Sequence, residues 1–480
     1  MKTLLQVLSE AERHQIHEAT LKVLAETGVR VDTAQGRRFL KEAGAKVDEN
    51  TDIVRFPEAL VEESLRLAPK DFTLGARRPE WELYMNGGDC TLLADGEAVF
   101  VLDTKTGERR LGDYDDWLRA TRLIDAIDEI GVYWCMVRRS EEEETISDQV
   151  WYWRDLFSNF SKHVQDAIPS AEYAPWLLEV LQAVFGDRET IRQEHPISFL
   201  LCPQSPLVIE APYTDAYLAL LGYDIPVACM PMPIMGATAP ASLISTIVLG
   251  NAETLAMLCL IQAAAPGTPF IYAPVMAVMD PYTGRYIGGA IEQGLLGAAV
   301  TEMGRYYSLP VEASGIGTSH HVPGTQAGYE RALTGILPAL SWPDILVGAG
   351  LLGSAMNLSF SQIVIDVEIF RIFKRTSTGI ASDRYRWLGH VIDRVGPGGH
   401  FLKERSTRAG VRRGEWFISD IGMQYTFEAW DAAGRPTLVD EARKAANEIL
   451  EKHKPLPLDD TVVRELERIQ RAADRATERR

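Results

Sequence analysis

The sequence predicts an α/β fold built on a closed (β/α)8 barrel of the TIM type, with an N-terminal α+β extension and a C-terminal helical tail. Three observations lead there. Short apolar runs recur from residue 132 onward, and a longer helical stretch follows each one. Seven such units, with an eighth strand placed near residues 399–402, fit into roughly 270 residues, the size of one barrel. No GxGxxG follows the first run, which argues against an open dinucleotide-binding sheet.

The elements follow in order. Ser9 and Glu12 have the spacing of a capping box, and Gly28 can end the helix they start. A second helix spans 57–67 with Pro57 at its first position. Residues 71–111 read as strands and turns, in "FTLGA", "CTLLAD" and "AVFVLDTKTGERRLGD", with hairpin turns at Asp95-Gly96 and Thr106-Gly107. "DYDDWLRATRLIDAIDEIG" is an acidic-fronted amphipathic helix. These pieces make residues 1–130 a lead-in packed on the barrel. The barrel itself is expected over 131–450, with strands at 132–134, 163–167, 197–202, 227–230, 270–273, 311–313 and 345–347. Its helices are expected over 171–185, 214–222, 239–264, 290–307, 326–340 and 357–374. Residues 451–480 form a Pro-punctuated linker and a docking helix, with Val462, Leu466 and Ile469 at helical spacing.

Composition removes several classes. A net charge of −18 argues against a broad basic face for nucleic acid, and it suits a cationic small molecule. The five cysteines are scattered, without CxxC or CxC, which points to a reducing cytoplasm and away from disulfides or structural zinc. The apolar stretch 239–265 is interrupted by Asn251, Glu253 and Gln262, as a buried helix would be and a membrane span would not. The start, "MKTLLQVLSEAERHQ", lacks the pattern of a secretory signal.

A barrel of this type builds its active site at the C-terminal ends of its strands. The expected exits carry Trp134, His163 with Gln165, Gln204, Met232 with Met235, Tyr272, His320 with His321, and Gly348 with Gly350. They read as poor in acids and rich in aromatic, methionine and small residues. Aromatic faces suit a quaternary ammonium, at ~0.5–2 kcal/mol each. The candidate cage is drawn from Trp134, Tyr272, Tyr329, Trp342 and Phe360. HExxH, GxSxG and P-loop motifs are missing. His14 and His17 read as surface residues, and Asp366 and Glu368 as a structural pair on an apolar helix. His163 is open between a structural and a pocket role. His320 and His321 are neighbours in an extended segment, so at most one faces the mouth; otherwise their rings bond backbone carbonyls.

Four stretches then carry a resemblance: "MGATAPASLISTIVLGNAETLAMLCLIQAAAPGTPFIYAP", "YYSLPVEASGIGTSHHVPGTQAGYERALTGILPAL", "GAGLLGSAMNLSFSQIVIDVEI" and "GPGGHFL". Together they resemble the trimethylamine methyltransferase superfamily, over about residues 5–450. The resemblance implies a (β/α)8 barrel that moves a methyl group from an amine to the cobalt of a separate corrinoid (cobalamin) protein, as in methanogenesis-type one-carbon metabolism. Members acting on trimethylamine carry pyrrolysine, in or close to the segment 315–322. This chain has Gly-Thr-Ser-His-His there, and so is similar to the non-pyrrolysine branch acting on glycine betaine and related quaternary amines. The implied substrate-binding residues are His320, His321, His163, Gln204, Trp134, Tyr272, Tyr329 and Phe360. The corrinoid would approach over Gly236, Thr238, Gly315, Gly317, Gly348 and Gly350. No acid or base is required, because the tertiary amine leaves neutral. No tightly bound metal, nucleic acid or membrane is expected, and a homo-oligomer is compatible. Two alternatives stand beside this reading. One is a zinc-dependent methyltransferase using His163, Cys202, Cys229 and His320. The other is a quaternary-amine-binding protein without catalysis.

Overall fold

The computed structural model describes residues 5–103, 106–139 and 145–478. Eight parallel strands form its centre: β1 (Thr91–Ala94), β2 (Ile130–Tyr133), β3 (His163–Asp166), β4 (Ile197–Leu201), β5 (Val227–Cys229), β6 (Phe270–Tyr272), β7 (Glu312–Ser314) and β8 (Ile345–Ala349). They pair in the order β6-β5-β4-β3-β2-β1-β8-β7, and a parallel bridge between Tyr272 and Val311 closes the ring. Strands covered on both faces need apolar residues at nearly every position, which is why β2, β5, β6 and β8 are buried throughout.

One helix returns from each strand: α1 (Tyr114–Asp125), α2 (Ile146–Asn159), α3 (Ala174–Phe185), α4 (Ala211–Leu218), α5 (Leu243–Ala264), α6 (Ile291–Tyr306), α7 (Thr325–Ser341) and α8 (Phe360–Ser377). Capping boxes start α1 at Asp113 and α2 at Thr145, satisfying first-turn amides that have no intrahelical partner. Helix α5 is long and apolar enough to cross a membrane, yet most of it is buried inside the protein. Its outer side is covered by the helices Glu10–Lys22, Ala34–Glu42 and Glu58–Leu67, so both of its faces meet protein. The capping box at Ser9 and the positive-φ Gly28 stand where the sequence puts them.

The eighth strand is a correction. It is Thr91–Ala94, inside the stretch read as a lead-in hairpin, so the barrel begins at Thr91 rather than near residue 131. The βα rhythm is hidden there because an antiparallel pair, Phe100–Leu102 with Arg109–Leu111, is inserted between β1 and α1. Asp95-Gly96 is accordingly a strand exit, not a hairpin turn. Residues 399–402 are an irregular turn with Phe401 and Leu402 exposed.

A second hairpin, Phe72–Leu74 with Leu83–Met85, plugs the N-terminal end of the barrel. Phe72, Leu74 and Met85 pack there with the inward residues Leu93, Val132, Ala228, Ile271 and Ile345, as a core separate from the larger one outside the strands. Beyond α8, residues 379–437 make an excursion of short helices before Leu438–Lys452 returns onto α8. The last helix, Asp460–Thr477, docks on α2 and α3 through Leu466, Ile469 and Ala473.

Candidate functional site

Strand alternation sends every second residue into the barrel. In the lower layer this places His163, wholly buried, with Nδ1 2.9 Å from the Gly75 carbonyl oxygen and Nε2 2.9 Å from Ser198 Oγ. A carbonyl only accepts, so Nδ1–H donates to it and Nε2 accepts from the serine hydroxyl. Burial holds the ring neutral and lowers its pKa to about 3. Gly75 lets the plug come close: a Cβ there would sit 2.1 Å from the Glu194 carbonyl oxygen.

The middle layer holds an unusual polar chain. Trp134 Nε1–H donates to Gln165 Oε1 at 2.7 Å, and Gln165 Nε2–H donates to Glu312 Oε2 at 3.0 Å. The indole can only donate, so it fixes the amide of Gln165 and points its NH2 at Glu312. Glu312 is fully buried, and its other oxygen, Oε1, has no partner. Ser314 lies two residues on, on the same face of β7, and its buried Oγ is also unpartnered. Burial raises Glu312 from 4.5 to about 7, opposed by the Gln165 hydrogen bond. Two orphaned buried oxygens side by side are a costly arrangement for a closed core and a suitable one for a polar or cationic ligand.

More carboxylates stand at the rim. Asp95, after β1, accepts from the Gly96 amide, and burial raises it to about 6. Asp166, at the end of β3, accepts from Tyr152 Oη at 2.6 Å and the Ala167 amide at 2.8 Å, and burial raises it to about 6 as well. Arg139 lies over the Tyr152 ring, 3.7 Å from its centroid, and partly offsets that rise. Cys202, after β4, is an exposed residue whose thiol lies against protein, and burial pushes its pKa up to about 12. The expectation of a mouth poor in acids is therefore corrected.

Buried pairs fix the exits. Arg331 Nη1 donates to Ile316 O, Gly348 O and Asp366 Oδ2 at 2.7, 3.0 and 2.7 Å, and Asp366 also accepts from the Gly350 amide. Gly348, at φ 134°, is required, since a Cβ would meet Gly315 O at 2.1 Å. Glu330 on α7 accepts from Thr318 Oγ1 and the Ser319 amide, and Glu253 on α5 accepts from Ser205 Oγ and the Leu207 amide.

A model of the family described as trimethylamine methyltransferase (MTTB) matches residues 2–476. The chain belongs to the trimethylamine methyltransferase family. It is similar to trimethylamine methyltransferase MttB of Desulfitobacterium hafniense (strain DSM 10664 / DCB-2), at 30% identity over 96% of this chain and 92% of that one. MttB of Methanosarcina barkeri (strain Fusaro / DSM 804) is also 30% identical, over 98% and 96% of the two chains. A glycine betaine methyltransferase of D. hafniense (strain Y51) is 28% identical over 94% of each. Among solved structures, the monomethylamine methyltransferase MtmB of M. barkeri aligns over 93% of both chains with a TM-score of 0.48 and 12% identity.

Set in this methyltransferase, the residues named from the sequence separate. Trp134 is half-buried and belongs to the lumen. Tyr272 faces outward, its hydroxyl donating to Asn251 Oδ1 at 2.9 Å. Phe360 is buried beneath Arg119, Tyr329 is exposed on α7, and Trp342 sits at the foot of α7 with Nε1 near the Gly88 carbonyl. His163 is at the closed end and not at the exit. Gln204 is exposed in the loop after β4, pairing its backbone with Val208. His320 is half-buried and His321 exposed; the His320 carbonyl accepts from the Gly353 amide, and the His321 ring lies against Gly353. Of the approach positions, Gly236 is exposed and Thr238 and Gly317 are half-buried, whereas Gly315, Gly348 and Gly350 are buried in backbone packing. Among the described residues, no group of three or more His, Cys, Asp or Glu stands close enough to hold a metal ion. Cys229 faces away from the lumen, wholly buried.

Glu312 and Asp166 went unnamed in the sequence, and Asp95 was read there only as a turn residue. The one signal for Glu312 was an acid in the middle of the apolar run "LPVEASG".

Proposed function

We propose that this protein transfers a methyl group from a quaternary amine, glycine betaine or a related betaine, to the cobalt of a corrinoid carried by a separate protein. The observation that carries the reading is the unpartnered Oε1 of Glu312, in a barrel layer that also holds the Trp134 ring, with the carboxylate of Asp95 at the exit of β1. A cation held there gains a counter-charge and an aromatic face together. The reduced corrinoid supplies a strong nucleophile. The chain's own residues orient the amine, keep water from it and leave one methyl facing the mouth. The C–N bond breaks with its electron pair staying on nitrogen, so the leaving tertiary amine is neutral and needs no general acid. The rim suits a large flat partner group: Tyr213, Met232, Val322 and Met356, from four different exits, leave apolar surface exposed. A betaine carboxylate would extend toward His320 and His321 at the exit of β7.

The test is a panel of glycine betaine, other betaines, choline, tetramethylammonium and trimethylamine, each mixed with the enzyme and free Co(I) cobalamin. Formation of methylcobalamin from a quaternary amine supports the reading. Binding of the amine without methyl transfer would leave a binding protein, and transfer from trimethylamine alone would reject the quaternary substrate.

A further inference from the structure

The bond from Gln165 to Glu312 runs across the barrel. In the order β6-β5-β4-β3-β2-β1-β8-β7, closed between β6 and β7, the strands β3 and β7 stand opposite one another, so the two side chains meet as a crossbar. Ser314 follows Glu312 by two residues on β7. It lies on the same face and nearer the mouth, because a strand alternates its faces and the mouth is at its C-terminal end. Two residues of strand rise ~6.6 Å. The surroundings of Ser314 on that face are apolar. Val347 is its register partner on β8, and Ala273 and Val275 pack into the same inward core from the end of β6. None of their side chains carries an acceptor, and Ser314 Oγ is buried without a partner. Alanine would fill the same place without stranding a hydroxyl. A hydroxyl kept there marks a contact that the fold itself does not supply.

We infer that Ser314 is a specificity residue: its hydroxyl donates to a carboxylate on the arm of the quaternary amine, and it favours amines whose carboxylate stands one methylene from nitrogen. The inference rests on the proposed amine site beside Glu312. The two orphaned oxygens differ in kind. Glu312 Oε1 answers the ammonium with charge. The serine hydroxyl has a proton to give, and no methyl of an ammonium can accept it. A carboxylate accepts only, and its bond to a hydroxyl is charge-assisted. The order of charges agrees. With the ammonium beside Glu312 and its own carboxylate at Ser314, the cation lies between the two anions. Length agrees as well. A carboxylate one methylene from nitrogen, together with a hydrogen bond of ~2.7 Å, spans about one such rise. One of its oxygens takes the Ser314 proton, and the other is left toward the exit of β7, where His320 and His321 stand. An arm longer by two methylenes carries its carboxylate past Ser314.

Isothermal titration of the full chain at pH 8, above the point near 7 where Glu312 loses its proton, tests this with tetramethylammonium, glycine betaine and γ-butyrobetaine as probes. Ser314→Ala should bind glycine betaine roughly ten- to hundredfold more weakly than the wild type. It should bind tetramethylammonium, which has no arm, equally well, and γ-butyrobetaine should change much less than glycine betaine. Ser314→Cys provides a second variant, its weak S–H donor giving an intermediate loss. With no amine present, Ser314→Ala should melt no lower than the wild type, since it removes a buried hydroxyl that nothing bonds. Equal weakening of all three amines, or of none, overturns the inference and leaves the Glu312 site standing. A melt lowered by Ser314→Ala also overturns it, because the hydroxyl then has its partner inside the fold. A wild type that binds none of the three removes the amine site itself, and the inference with it.

Discussion

Replacing Glu312 by Gln keeps the shape of the middle layer and removes its charge. The amide oxygen can still accept from Gln165, and its NH2 takes the place of Oε1. In the folded protein the carboxyl titrates at about 7 instead of 4.5, principally because it is buried. A group with a raised folded pKa favours folding at low pH. Its contribution is whole below 4.5 and is lost as pH rises through about 7. The gap is worth about 3 kcal/mol when fully expressed. The variant should therefore melt like the wild type at pH 5 and be more stable above pH 8, by up to ~3 kcal/mol. Ligand binding gives a second reading. At pH 6.5 most of Glu312 holds its proton, while Asp95 and Asp166, at about 6, are largely ionised. A quaternary ammonium arriving beside Oε1 should expel that proton. Calorimetry in two buffers of different ionisation enthalpy should find release approaching one proton per cation at pH 6.5 and almost none at pH 8.5. Glu312→Gln should release none at either pH and bind the amine at least tenfold more weakly, as loss of a charge-assisted contact of ~1.5–3 kcal/mol requires. A variant that binds the amine like the wild type and melts with the same pH profile would refute the assignment of Oε1 to the ligand.

Trp134→Leu should weaken quaternary-amine binding by roughly three- to thirtyfold, as ~0.5–2 kcal/mol of cation–π attraction implies, while Tyr272→Phe should leave amine affinity unchanged and lower only the melting temperature. His163→Ala should cost about 2–4 kcal/mol of stability by leaving Gly75 O and Ser198 Oγ unpaired at the closed end; folded variant should keep the wild-type amine affinity, by titration. Arg331→Met should destabilise by about 3–5 kcal/mol, and Arg331→Met with Asp366→Leu by clearly less, because the single change strands a buried carboxylate; urea melts of the two variants make the comparison. If the rim histidines meet a betaine carboxylate, the pocket-facing member of His320 and His321, changed to Ala, should lose ten- to hundredfold affinity for glycine betaine and little for choline or tetramethylammonium.

Seven of the eight strands could be read from their rhythm, because each βα unit repeats the same demand: a short run buried on both faces, then a helix with one apolar side. The same property hid the site. In strands buried on both sides, inward and outward residues are equally apolar, so alternation of hydrophobicity does not tell which face enters the barrel. Tyr272 looked like an exit residue, yet its neighbours Ile271 and Ala273 are the ones that face in. His163 and Gln165 share a face, but they lie in different layers, and no pattern in the sequence gives depth along the barrel axis. The first strand was obscured by the inserted pair Phe100–Leu102 and Arg109–Leu111, whose turn chemistry made β1 look like part of a meander. Glu312 did leave a trace: one acid in an apolar run is costly unless something answers it.

That cost suggests how the proposed methyl transfer from a quaternary amine could draw on Glu312 to hold its substrate. A permanently charged carboxylate sunk in an apolar barrel would be paid for in stability whether or not substrate was present. Glu312 lessens this by holding its proton at pH values below about 7, with Gln165 and Trp134 fixing which oxygen is left without a partner. A quaternary ammonium cannot donate a proton and cannot be neutralised, so it compels the carboxyl to ionise. A tertiary amine is far more basic than a carboxyl titrating at about 7, so it takes the Glu312 proton and meets the same carboxylate as a cation with one N–H to donate. Glu312 therefore favours either cation over a neutral ligand through the Coulombic term in a dry site, and under the proposed function the choice of a quaternary amine falls to the Trp134 face and the fit of the fourth methyl.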